Sequence, residues 1–424
     1  METLIIAIFI IGYAAIAIEH SLHINKAAMA LLTGVLCWTA YIMNAPDPHQ
    51  VNHQLTEHLG EISGILFFLL GAMTIVELID AHEGFDIITH KIKTNNKSKL
   101  LWIVCILTFF LSAVLDNLTT SIVMVTLLRK LIKDNHDRKL FLGMVIIAAN
   151  AGGAWSPIGD VTTTMLWIGG QVTSSNIVFK LFLPSLICMI VPLLVMSWGI
   201  KGKAERSDVE EKSSHKINPF EKNFVFFSGV GVLVLVPIFK TLTHLPPYMG
   251  ILMGVGLLWV ITELLHRRKE EEEKSHFSVV HAIRKSDVPS VLFFLGILIS
   301  IAALQSTGIL GQLADYMDRQ IGNQNLITIS IGLLSSIVDN VPMVAGAMGM
   351  YSLEQFQTDH NFWSFLAYCA GTGGSALIIG SAAGVAVMGM EKIDFFWYVK
   401  KISWLALIGY FCGAGVYLLQ ESLF

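Results

Sequence analysis

Charge is scarce in this chain. Asp, Glu, Lys and Arg make up 14% of its 424 residues, apolar residues make up 54%, and the mean hydropathy is +0.64. That balance excludes a soluble globular domain and marks a membrane protein. Apolar runs of about 15 to 20 residues recur along the whole length, enough for helices that cross a hydrocarbon core of roughly 30 Å. They leave no space for a soluble catalytic domain. Paired cysteines are missing as well. Cys37, Cys105, Cys188, Cys369 and Cys412 are scattered through apolar segments, which excludes a disulfide framework and a thiolate metal site and makes them small buried hydrophobes. The amino-terminal METLIIAIFIIGYAAIAIEH lacks a basic leader and a small-residue cleavage site, so it reads as a first spanning helix rather than a signal peptide.

Ordinary spans are predicted at Leu4 to Ile18, Ala27 to Met43, Ile62 to Ile79, Ile177 to Ile200, Phe224 to Phe239, Tyr248 to Leu265, Val288 to Leu304 and Phe395 to Leu419. Four other stretches carry polar breaks in mid-run. Residues 100–131 and 326–350 each hold an Asp-Asn pair, and 140–168 and 362–390 are interrupted by glycine-rich polar sequence. Such breaks survive at membrane depth only where protein or a water-filled cavity shelters them. Two re-entrant hairpins and two broken helices are the expected path, and an alternative in which each hairpin is two full crossings gives the same orientation. With that path, only Lys180, Lys240 and Arg319 of the 28 Lys and Arg fall near one side. The basic side is cytoplasmic and both termini are outside.

The two halves match at a separation of about 221 to 225 residues. SAVLDNLT (112–119) aligns with SSIVDNVP (335–342), AGGAWSPIGD (151–160) with TGGSALIIGS (372–381), and Gly84 with Gly308. Five crossings per repeat is an odd number, so the second repeat is inserted upside down, the design in which half-helix ends meet near the midplane of secondary transporters. The expected fold is an all-α polytopic membrane protein of two inverted repeats, each of five transmembrane helices plus one re-entrant helical hairpin. Its parts are a first repeat over 1–200, a cytoplasmic linker over 201–222 and a second repeat over 223–424.

Asp116-Asn117 and Asp339-Asn340 fall at the expected hairpin tips. An unpaired carboxylate at this depth costs about 2.5 to 3.5 kcal/mol on insertion scales, so it faces a partner or a cavity. A hard cation such as sodium prefers several oxygens, and Asp, Asn, Ser and Thr side chains with freed carbonyls supply them. Asn150, Gly152, Gly153, Ser156 and Asp160 offer that set opposite the first tip, and Gly373, Gly374 and Ser375 stand in the matching stretch of the second half. No Lys or Arg occurs between Leu140 and Phe179 or between Gln320 and Glu391, which favours a cation as cargo over an anion. One Asp that holds either a proton or the metal gives antiport by competition. Each residue also has a plainer reading. Asp116, Asp339 and Asp160 could cap helices, the glycines could serve close packing, and Thr119, Thr120, Thr162 and Thr163 could bond their own helices. Glu61 follows His49, His53, Glu57 and His58 in an expected external loop, where it could guide ions inward, sense pH or simply be solvated.

With its paired D-N tips and the segment AANAGGAWSPIGDVTT, the chain resembles the NhaD type of sodium/proton antiporter within the ion transporter superfamily. The resemblance implies a homodimer in a cytoplasmic (inner) membrane, exchange of sodium or lithium for protons, no resident cofactor, no nucleic-acid partner, and elevator-like movement of a transport domain against a scaffold. It also implies ion-site roles for Asp116, Asn117, Asn150, Asp160, Thr162, Thr163, Ser335, Asp339 and Asn340. Pro342 and Ser381 depart from Thr119 and Asp160 of the first half, so the two half-sites are expected to be unequal. Two alternatives stay open: a sodium-coupled dicarboxylate or oxyanion carrier of the same superfamily, and an intramembrane aspartyl protease using Asp116 and Asp339.

Overall fold

The computed structural model describes residues 2–17, 24–85, 87, 92, 94–205, 218–267, 269 and 271–423. Among them the secondary structure is helical, with one isolated bridge between Asn96 and Lys203. The first half contains α1 (Glu2–Ala17), α2 (Lys26–Asn44), α3 (Pro48–Ala81), α4 (Lys97–Leu115), α5 (Asn117–Leu131), α6 (Asn135–Ala154), α7 (Val161–Ile168) and α8 (Ser174–Gly199). The second half contains α9 (Pro219–Thr243), α10 (Pro247–His266), the short α11 (Glu271–His276) and α12 (Val279–Lys285), then α13 (Val288–Ser306), α14 (Ile309–Gln320), α15 (Gln324–Leu334), α16 (Asn340–Met350), α17 (Asn361–Gly373), α18 (Ala382–Glu391) and α19 (Phe395–Leu423). A π-helical turn over Val399–Ser403 lies near the start of α19.

Among the described residues, eight helices are long and apolar enough to cross a membrane: α2, α3, α4, α8, α9, α10, α13 and α19. The chain is thus a multi-pass membrane protein, and the set differs from the sequence expectation in two places. Helix α1 has 16 residues and is too short for that group, its expected end at Ile18 lying outside the described residues, whereas α4 qualifies with 19. Helix α3 also starts earlier than expected. Asp47 accepts from His49 N at 2.9 Å and Pro48 fills the first turn, so the helix begins there and runs 34 residues, about 51 Å at 1.5 Å per residue. The presumed external loop around Glu61 is therefore helix projecting beyond an apolar core of about 30 Å. Most of the linker (206–217) and part of the stretch after Gly84 lie outside the described residues. The counterpart after Gly308 is α14, opened by that glycine at φ +76.

Helix packing in one half has a partner in the other. Helix α1 packs on α2 as α9 packs on α10; α2 packs on α13 as α10 packs on α3; α4 lies on α6 as α15 lies on α17. The halves also exchange arms, because α5 packs on α18 and α16 on α7, while α8 and α19 embrace. That exchange brings residues some 220 positions apart into one centre.

Candidate ion site

Two gaps between helices define the centre. Helix α6 stops at Ala154 and α7 starts at Val161; α17 stops at Gly373 and α18 starts at Ala382. Close backbone approach places these ends against α4 and α15. A Cβ on Gly152 would lie 2.2 Å from the Phe109 carbonyl oxygen, and one on Gly373 would lie 2.0 Å from that of Gly332. Only glycine permits either contact. Two matching serines lie at the same joints, Ser112 Oγ donating to Ala149 O at 2.6 Å and Ser335 Oγ standing 3.2 Å from Ala370 O and 2.7 Å from Gly332 O. Ser156 Oγ adds a bond to Ala113 O at 2.5 Å.

Asp160 lies at the heart of the arrangement. It caps α7 by accepting from Thr162 N at 2.8 Å and Thr162 Oγ1 at 2.7 Å. The same carboxylate accepts from Asn117 Nδ2 at 2.5 Å, and Asn340 Nδ2 stands 3.4 Å from its Oδ2. Asn117 opens α5 and Asn340 opens α16, so one asparagine from each half converges on a single carboxylate that is 1% exposed. Asn150 extends the network: its Oδ1 accepts from Asn117 at 3.0 Å, and its Nδ2 donates to Ser375 Oγ at 2.9 Å and Ser381 Oγ at 3.0 Å. Tyr398 fixes the far side by donating to Ser375 O at 2.9 Å. Thr163 Oγ1 bonds Asp160 O, within its own turn. Gly153 and Gly374 sit against the carbonyls of Gly159 and Gly380, closing the two non-helical stretches.

The two tip aspartates have different surroundings. Asp116 caps α5 through Thr119 N (2.8 Å) and Thr119 Oγ1 (2.9 Å), with its backbone at φ 77, ψ 162. A non-glycine residue there is strained by about 1 to 3 kcal/mol and is held only by its surroundings. Asp339 caps α16 with ordinary geometry, its Oδ1 3.4 Å from Val341 N. Its Oδ2 lies 3.6 Å from Lys26 Nζ, which also stands 4.5 Å over the Phe293 ring. Asp116, Asn117 and Asp160 line a cavity of about 50 Å³ together with Phe68, Met73 and Phe294. Asp339 and Asn340 are not among its lining residues. Thr120 Oγ1 and Ser121 Oγ are buried nearby on α5 without hydrogen-bond partners.

The family profile described as "Citrate transporter" (CitMHS) matches residues 6–364. "Sodium/proton antiporter 1" of Arabidopsis thaliana is 50% identical, covering 98% of this chain and 72% of its own length. "Na(+)/H(+) antiporter NhaD" of Alkalimonas amylolytica is 31% identical over 99% of this chain and 91% of its own length, and its namesake in Vibrio cholerae is 31% identical over 97% and 90%. The chain belongs to the NhaD-type sodium/proton antiporter family. That family is one of transporters rather than of enzymes.

In this NhaD-type chain, sequence reasoning missed Lys26. The lysine lies outside the stretches that lack basic residues, and only packing of α2 carries it to Asp339. Tyr398 and Phe68 were equally invisible, being ordinary apolar-segment aromatics until the helices meet. Glu61 lies apart from the centre, 73% exposed at its side chain and 3.8 Å from His58 Nδ1 on the same helix. The five cysteines are free, four of them buried.

Proposed function

We propose that this protein exchanges sodium for protons across the membrane, with Asp160 and the hairpin-tip aspartates carrying one or the other. The observation behind this reading is the convergence of Asn117 and Asn340, one from each half, on the buried Asp160. A sodium ion arriving at Asp160 replaces the two amide donors as the carboxylate's partner. Each amide, turned by 180°, offers its oxygen instead of its nitrogen. Asn150 and Asp116 add further oxygens, and Thr120 and Ser121 are hydroxyls within α5 that a cation could recruit. The cavity suits such cargo. One water needs about 10 to 15 Å³, so about 50 Å³ holds three or four waters or an ion with part of its shell.

When the metal leaves, protons neutralise the same carboxylates, since a bare charge at this depth is costly. The carrier then returns loaded with hydrogen ions. The paired packing of the halves, the matched Ser112 and Ser335 joints and the matched Gly152 and Gly373 contacts support an inverted repeat of five crossings and a hairpin. In that frame α4 to α8 and α15 to α19 form a moving transport unit, and α1 to α3, α9, α10 and α13 form the scaffold, with elevator-like exchange of access. Lithium is the expected second substrate, and a homodimer in the cytoplasmic membrane with both termini outside is the expected setting.

The family profile's description favours a second reading, carriage of citrate or a similar carboxylate. The size of the cavity and its lining by Asp116 and Asp160 weigh against it. Everted vesicles holding an acid interior separate the two: sodium or lithium, but not potassium, should collapse the pH gradient, while labelled citrate should not accumulate. Citrate uptake with no cation-driven proton movement would reverse the assignment.

A further inference from the structure

Helix α9 carries no charged residue from Asn223 to Phe239, then Lys240 in its last turn. A lysine at such a place ordinarily snorkels to the membrane interface. This one points inward. Its Nζ donates to the Trp167 carbonyl at 2.7 Å and lies 4.5 Å over the Trp167 ring. Trp167 is 1% exposed and meets Phe68 of α3 edge-on at 6.3 Å. Its carbonyl belongs to the last turn of α7 and also accepts from Gly170 N at 3.4 Å; carbonyls there carry the negative end of the helix dipole and attract a cation.

Helix α7 has eight residues, about 12 Å at 1.5 Å per residue. Asp160 caps one end and Lys240 holds the other, so a pull at the lysine is transmitted to the ion site along about two rigid turns. Leu233, two helical turns before Lys240 on the same face of α9, lines the cavity beside Asp116 and Asp160. Pro237 lies between them and removes one bond from the helical ladder. One face of one scaffold helix thus touches both the cavity and the far end of α7.

We propose that Lys240 is a catch between scaffold and transport unit: it holds α7 in the orientation seen here and must release when the carrier exposes its site to the other side. This rests on the antiport reading given above. Lys240 touches neither cargo nor a carboxylate of the site. It is a positioning residue that sets the balance between the two orientations, and through it the apparent sodium affinity on each face.

The test uses Lys240→Met and Lys240→Arg in the full-length protein. Arginine keeps a donor for the carbonyl and stacks on the indole, so it should restore the wild-type balance. Sodium titrations in vesicles of both orientations should show Lys240→Met shifting KM in opposite directions on the two faces, about fivefold each, with Lys240→Arg within twofold of wild type. A second readout needs no transport. Ser290→Cys, introduced with Cys412→Ser at the cavity-lining Ser290, is labelled with a membrane-impermeant maleimide, and labelling should slow at least threefold when Lys240→Met is added. Unchanged KM on both faces with unchanged labelling overturns the catch, as does a fall in maximal rate alone that arginine fails to rescue. Wild-type vesicles that move no protons on sodium addition would instead remove the antiport reading, and the labelling comparison still decides the catch.

Discussion

Replacing Asp160 by serine separates what this residue does for the fold from what it does for transport. Ser381 holds the matching position in the second half and caps α18 by accepting from Gly384 N at 3.2 Å. A serine at 160 therefore keeps the cap of α7 at nearly equal strength. Lost are the charge and the bonds from Asn117 and Asn340. Charge-assisted bonds of this kind contribute about 1.5 to 3 kcal/mol each, offset by relief from burying a carboxylate, so stability should change little. The cation loses far more. A unit charge about 4 Å from a carboxylate gains about 4 kcal/mol at an effective dielectric near 20, or roughly a thousandfold in affinity at 1.4 kcal/mol per decade. Asp160→Ser should keep its detergent melting midpoint within a few degrees and its helical circular dichroism, yet lose sodium-driven proton movement across the accessible concentration range. If the variant still transports with KM within threefold of wild type, Asp160 is not the shared carboxylate.

Lys26→Gln removes the ammonium 3.6 Å from Asp339, a rival for sodium at that carboxylate, and should lower the sodium KM at least threefold; an unchanged or higher value argues that the pair is purely structural. Gly373→Ala drives a Cβ to 2.0 Å from the Gly332 carbonyl and should cost about 1 to 3 kcal/mol of stability, whereas Gly346→Ala, with open space around it, should melt like wild type. His82 sits in the turn after α3, stacked on His266 at 5.2 Å and close to Phe277, with its Nε2 unpartnered. Glu221 and Lys269 stand near this cluster, and burial pushes His82 down to about 4. Because the folded value lies below the free value, stability is complete above about pH 6.5 and falls at about 1.4 kcal/mol per unit as the pH drops toward 4. Melting midpoints of His82→Phe should be flatter over that window; an identical slope would place the pH sensitivity elsewhere.

Much of the site was legible because its signals are local. An Asp-Asn pair inside an apolar run, or two glycines followed by a polar capping residue, breaks a helix wherever it stands, and the ends at Leu115, Ala154, Leu334 and Gly373 fall at or beside those signals. The matched motifs carried the correspondence of the halves for the same reason. The start of α3 was legible too, in Asp47 and Pro48, but polar residues after them masked a helix that simply outruns the apolar layer. Tertiary structure alone decided which breaks meet. Nothing in the sequence says that Asn340 reaches Asp160 or that Asn150 reaches Ser375 and Ser381, because those contacts arise from helices exchanged between halves. Lys26 at Asp339 and Lys240 at Trp167 are of the same kind. Hydropathy and capping act over a few residues and fix where the backbone bends; a cation's partner is set by packing between helices far apart in the sequence, and that is settled only when the bundle closes.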